Sequence, residues 1–93
     1  MLKLTNSIYY EGNEECAIIV DTSQGKFFEL NVISHEIVQL IKQNKTEEKI
    51  IEYIVSKYNV EIERASIDVK MFIQKLIDLG IVEFSEKIDN EKE

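Results

Sequence analysis

The apolar pattern of this chain changes its period at Asn31, and that change divides it into a sheet-forming part and a helical part. Ahead of Asn31, β-branched and aromatic residues fall in short runs separated by polar or glycine-containing turns, the spacing of strands. Thr5 to Glu11, with Ile8, Tyr9 and Tyr10, predicts the first strand, and Glu11-Gly12-Asn13-Glu14-Glu15 a polar turn. Cys16 to Asp21 is apolar at both parities, as in a strand paired on both edges and covered on at least one face. Thr22-Ser23-Gln24-Gly25 predicts a tight turn in which Gly25 takes a positive φ, and Lys26 to Leu30 the third strand. A meander in this order makes the second strand central and leaves the third at an edge.

Beyond Asn31 the apolar residues recur at helical spacing. Ile33, Ile37, Leu40 and Ile41 share one face of a first helix that ends near Asn44. Thr46 is the expected N-cap of a second helix, with Glu47 and Glu48 at the positive end of its dipole and Ile50, Ile54 and Tyr58 on its inner stripe, Ile51 and Val55 alongside. It ends at Asn59. The third helix runs from about Glu63 to Leu79 and stops at Gly80, after which Ile81, Val82 and Phe84 fold back on the core.

On the third helix, Ala65, Val69, Phe72, Ile73 and Leu76 lie within roughly 100° of one another, a core-facing stripe. Ile67 and Met71 stand one i,i+4 step apart on nearly the opposite side, flanked by Arg64, Asp68, Gln74 and Lys75. A second apolar patch on a half-buried helix predicts a groove.

A chain of 93 residues has room for one core. Residues 1–84 form the expected domain, and 85–93, with Glu86, Asp89, Glu91 and Glu93 against Lys87 and Lys92, an acidic flexible tail. One cysteine closes no internal disulfide, and no apolar run approaches the ~20 residues of a membrane helix, which together predict a cytoplasmic protein with no membrane contact. Catalytic constellations are missing. Cys16 and His35 lie on different elements, no second histidine completes a metal site and no glycine-rich loop is present, so the sequence predicts neither enzyme activity nor a cofactor. Cys16 reads as an inert packing residue of its strand, and His35, beside Glu36, as a solvated surface residue.

Three strands followed by three helices, together with Gly25-Lys26-Phe27-Phe28-Glu29-Leu30-Asn31, Thr46-Glu47-Glu48-Lys49-Ile50-Ile51, Tyr58, Asp68-Val69 with Phe72 and Leu76, and Gly80-Ile81-Val82, resemble the PqqD-like family. One turn departs from it: where the family often has Asp-Gly between the first two helices, this chain has Lys42-Gln43-Asn44-Lys45. The resemblance spans about Ser7 to Glu83 and implies an α+β, winged helix-turn-helix-like fold: a three-stranded antiparallel sheet followed by three helices. It also implies a role without catalysis, the recognition of the leader segment of a ribosomally made precursor peptide for delivery to a modifying enzyme. That enzyme is of the lasso-peptide protease and cyclase kind, a radical enzyme or another class.

A leader docking antiparallel on the edge strand would pair with Lys26, Phe27, Phe28, Glu29 and Leu30. Side chains would then select it, with Phe27 or Phe28 on one wall of the cleft and Ile67 and Met71 on the other. Lys26, Arg64 and Lys75 would meet acidic leader residues, and Asp68 either caps a leader donor or completes a surface ion pair. Strand alternation sends one phenylalanine to each face and leaves open which lines the cleft. An exposed edge also permits a homodimer by strand exchange. Two other readings share the architecture: a winged-helix DNA-binding protein, and an adaptor subunit without a peptide ligand. Charge opposes the first, because the net charge is −7 and Arg64 is the only arginine, so no nucleic-acid partner is expected.

Overall fold

A computed structural model describes residues 1–13 and 16–84. The elements run β1 (Leu2–Leu4), β2 (Ile8–Gly12), β3 (Ala17–Asp21), β4 (Lys26–Leu30), α1 (Val32–Lys42), α2 (Glu47–Tyr58), α3 (Ile62–Asp78) and β5 (Val82–Phe84). Strands β2, β3 and β4 form an antiparallel meander with β3 central, and β4 lies at an edge. Three helices follow, so the fold is α+β in the expected order. None of them is long and apolar enough to cross a membrane. The acidic stretch 85–93 lies outside the described residues.

Residues spaced by two or by 3.6 converge on one core. Ile19 of β3, Val38 and Ile41 of α1, Ile50 of α2, Val69 and Ile73 of α3, and Ile81 beyond it are all buried. The inner stripe of α1 is rotated from the expected one. Val38 and His35 point inward, whereas Ile33 is 42% exposed. The expectation of a solvated His35 is therefore corrected: it is 4% exposed, and its Nδ1 shares a hydrogen bond with the Tyr10 hydroxyl of β2. A polar ring becomes tolerable in a core when a neighbour satisfies it, and burial raises the pKa of the Tyr10 phenol that does so.

Cys16 is likewise corrected, from strand interior to exposed turn. Pairing of β2 with β3 ends at Gly12 and Ala17, and the Cys16 amide instead donates to Asn13 Oδ1 at 3.1 Å. An additional strand also precedes the predicted first one, which is β2. Leu2–Leu4 pairs antiparallel with Val82–Phe84 as a separate ribbon, so the C-terminal return is a strand; Ile81 and Val82 are buried, whereas Phe84 is 65% exposed. Two bonds shape the turn into that ribbon: Ile81 N–H donates to Leu76 C=O and Gly80 N–H to Ile77 C=O, with Gly80 at φ 80°. This is the Schellman arrangement, which requires a left-handed residue after the helix.

The same arrangement ends α1, where Lys45 N–H donates to Leu40 C=O and Asn44 N–H to Ile41 C=O, with Asn44 at φ 66°. Asparagine enters the left-handed region more readily than other non-glycine residues, so the departure from Asp-Gly at this turn preserves its geometry. Asn44→Val is expected to destabilise the domain by about 1–2 kcal/mol and Asn44→Gly to stay within about 0.5 kcal/mol of the parent, as read by urea unfolding.

Asp21 sets the turn that presents β4. Buried at the end of β3, its carboxylate accepts from Ser23 Oγ at 2.6 Å, Ser23 N–H at 3.0 Å and Gln24 Nε2 at 3.1 Å. The Ser23 hydroxyl leads these donors in holding its pKa below the ordinary value against the opposing effect of burial. A depressed carboxyl contributes stability that is complete above its unfolded pKa, about 3.9, and is lost as pH falls through the lower folded value. Asp21→Asn should lower the urea midpoint at pH 7 and reduce the further loss on acidification, measured by parallel denaturation series.

Candidate functional site

The free margin of β4 borders a groove. Among the described residues β4 pairs with β3 alone, and no strand occupies its other side. Along it Lys26, Phe27 and Glu29 are exposed, Phe28 is half-buried and Leu30 is buried. Alternation thus settles which phenylalanine turns inward: Phe28 packs against the core, and Phe27 is 67% exposed on the outer face of the sheet.

Between β4 and α3 lies a depression of about 270 Å³, walled by Phe28 and Leu30 on one side and Phe72, Lys75, Leu76 and Leu79 on the other. Phe72, Asn31 and Ser34 also border an adjoining, mainly apolar depression of about 290 Å³ among the three helices. Ile33, Ile37, Ile54, Tyr58, Val60 and Val69 line it, with Arg64 and Asp68 at its margin. Asn31 joins strand to helix at the boundary of both, its side-chain carbonyl accepting the Ser34 N–H at 2.8 Å as the N-cap of α1.

The wall expected of Ile67 and Met71 is built by other residues of α3. Ile67 and Met71 are 56% and 67% exposed and line neither depression. Helical angle is the reason: at 100° per residue both point nearly opposite the buried stripe, whereas Phe72, Leu79, Lys75 and Asp68 fall on the flank turned toward β4 and α1. Phe72 had the right position in the sequence to be found, at one margin of the core stripe, where a bulky residue is only partly covered.

Charge in the groove is unevenly committed. Arg64 Nε meets Asp68 Oδ2 at 3.2 Å on the exposed surface, an i,i+4 pair on one helix. Lys75 and Lys26 form no ion pair with any described residue. Among those residues no three His, Cys, Asp or Glu side chains are placed to hold a metal ion.

A network that the sequence pattern did not reveal braces the adjoining depression. Glu36 of α1 receives the Tyr58 hydroxyl at 2.6 Å, Lys57 Nζ and, at 3.4 Å, the Tyr53 hydroxyl, all from α2. Burial opposes the charge on Glu36, but Lys57, Tyr58 and Tyr53 together outweigh it and hold the carboxyl below its ordinary pKa. Lys57 is raised in turn, by Glu36 first. Tyr58 thereby presents its ring to the depression while its hydroxyl is engaged behind.

The family model for coenzyme PQQ synthesis protein D (PqqD) matches residues 16–82, which take in β3, β4, all three helices and the start of β5. The chain belongs to the PqqD family. Comparison with curated protein sequences gave no match. Among solved structures, two superpose closely. TbiB1 in complex with the TbiA(β) leader peptide has a TM-score of 0.84 at 19% identity, covering 91% of this chain and 99% of that one. A lasso peptide synthetase B1 complexed with the leader peptide has a TM-score of 0.82 at 20% identity, covering 89% and 98%.

The Glu36 network makes a local forecast. Tyr58→Phe removes a donor to an ionised acceptor and should cost about 1–2 kcal/mol in urea unfolding. It should also raise the Glu36 pKa, measured by side-chain carboxyl NMR across a pH titration.

Proposed function

We propose that this PqqD-family domain binds the leader segment of a ribosomally made precursor peptide, in the cytoplasm and without catalysing a reaction, and presents the attached core to a peptide-modifying enzyme. The observation that carries this reading is the margin of β4, unpaired among the described residues, beside a groove bordered by Phe28, Leu30, Phe72 and Leu79. An extended peptide entering there acquires main-chain hydrogen bonds from Lys26 to Leu30, which supply affinity with little sequence preference. Phe28, Phe72 and Leu79 offer an apolar anchor site, and Lys75 and Lys26, which form no ion pair among the described residues, are cations for acidic leader residues. Arg64 and Asp68, already engaged with each other, border the second depression. The leader-peptide complexes of the two similar structures support the same assignment.

Delivery needs no chemistry from the domain itself. A core held by its leader samples a nearby enzyme at an effective concentration on the order of millimolar, even where the core binds weakly. That enzyme is of the lasso-peptide protease and cyclase kind, a radical enzyme or another class. Duplex DNA is the poorer partner, because Asp68 engages Arg64, the one arginine of the chain, and the net charge is −7.

The test compares a substitution at Leu79, the C-cap of α3, with one at Met71 within the helix. With the leader of the precursor encoded beside this chain as titrant, Leu79→Glu places a charge in the groove wall and should weaken binding at least tenfold. Met71→Glu, on the outward face, should change it less than threefold, each read by calorimetry with thermal unfolding as the control for folding. A greater loss from Met71→Glu than from Leu79→Glu would move the binding surface to the outer face of α3. Unchanged affinity in both would reject the groove.

A further inference from the structure

On an open sheet margin, each residue of an incoming strand stands opposite one host residue, and the two share a face. In β4, Lys26 and Phe28 lie on the face of the sheet turned to the core, and Phe27 and Glu29 on the outer face. The two phenylalanines are therefore bracketed by opposite charges at either end of a four-residue stretch. Both charges are exposed, and neither forms an ion pair with a described residue.

The outer face carries a second regularity. Tyr9, Val20 and Phe27 are opposite one another across the three strands, and Glu11, Ile18 and Glu29 form the next row. Tyr9 is 55% exposed, Ile18 38% and Phe27 67%, so this solvated face is mostly apolar where alternation ordinarily places polar residues. Both rows end at the open margin. A strand added there contributes the fourth member of each: an apolar residue beside Phe27 lengthens the first row, and a cation beside Glu29 closes the second. The Glu11 carboxylate at the far end already accepts the Tyr9 hydroxyl at 3.0 Å, whereas Glu29 accepts no side-chain donor among the described residues.

We infer that β4 selects its incoming strand by a four-residue pattern: a basic residue opposite Glu29, an apolar residue opposite Phe28, an aromatic or β-branched residue opposite Phe27, and an acidic residue opposite Lys26. This inference rests on the strand-addition reading and names the class of peptide it accepts. Antiparallel addition makes the pattern read basic-apolar-apolar-acidic from the peptide's N-terminal side. Parallel addition reverses it. The charges therefore select direction as well as composition, and the groove is left to select the anchor.

Two capped synthetic peptides of equal length and composition test this, one with the core Lys-Leu-Val-Glu and the other with Glu-Leu-Val-Lys in identical polar flanks. Each is titrated into the full isotope-labelled chain and followed by the amide signals of Lys26 to Leu30. The first should bind about tenfold more tightly at low salt, the sum of two attractive pairs replaced by two repulsive ones, with the difference shrinking as salt is added. In the Lys26→Glu/Glu29→Lys double variant the preference should invert. Equal affinities in the parent, or an unchanged preference in the double variant, would overturn the pattern while leaving strand addition intact. A parent preference for Glu-Leu-Val-Lys would overturn the antiparallel direction. Amides of β4 that respond to neither peptide would overturn strand addition itself.

Discussion

A β-strand hydrogen-bonded on one side only has donors and acceptors along the other that water or a second chain must satisfy. Among the described residues β4 meets that condition, and its position is otherwise well determined. β3 pairs with β4 residue for residue from Ala17 with Leu30 to Asp21 with Lys26. Leu30 anchors one end in the core, and the Asp21 turn fixes the other. The margin of β4 is thus fixed on the side that pairs with β3 and unpaired among the described residues on the other, so in the proposed mode an incoming backbone would meet a preformed template. Preorganisation of this kind lowers the ordering cost of binding, which falls mainly on the peptide.

Much of this was legible in the sequence because period and position agree. The change of period at Asn31, the edge position of the third strand, and the helix ends at Asn44, Asn59 and Gly80 follow from rules that act over a few residues. What escaped depended on contacts distant in the chain. His35 looks like a surface residue until Tyr10 is known to lie against it, and Glu36 gives no sign that Tyr58 and Lys57 will meet it across two helices. Leu2 and Leu4 make too short a run to announce a strand, because their partner, Val82–Phe84, lies at the far end of the chain. The groove wall was missed for a different reason: a helical wheel ranks residues by distance from the core stripe, whereas a groove forms on the flank, where Phe72 and Leu79 are partly covered.

The division of labour between backbone and side chains suits a presenter of peptides. In the proposed binding mode, main-chain pairing would accept many sequences, and selectivity would fall to a few positions: apolar ones in the groove, charged ones at the ends of Phe27-Phe28. A net charge of −7 disfavours unrelated polyanions, while Lys26 and Lys75, without an ion pair among the described residues, would give specific carboxylates a place to settle in the proposed mode. The Glu36 network adds stiffness beside this region without occupying it.

The ribbon of β1 and β5 brings Leu2 opposite Phe84, so the first and last described strands leave the domain side by side. That pairing belongs to a sheet separate from the meander. A larger polypeptide joined directly before Leu2 or after Phe84 would therefore start from a common point. A short linker from Phe84 to Leu2 would close residues 2–84 into a ring that could be reopened at an exposed turn, giving circular permutants with β4 uninterrupted.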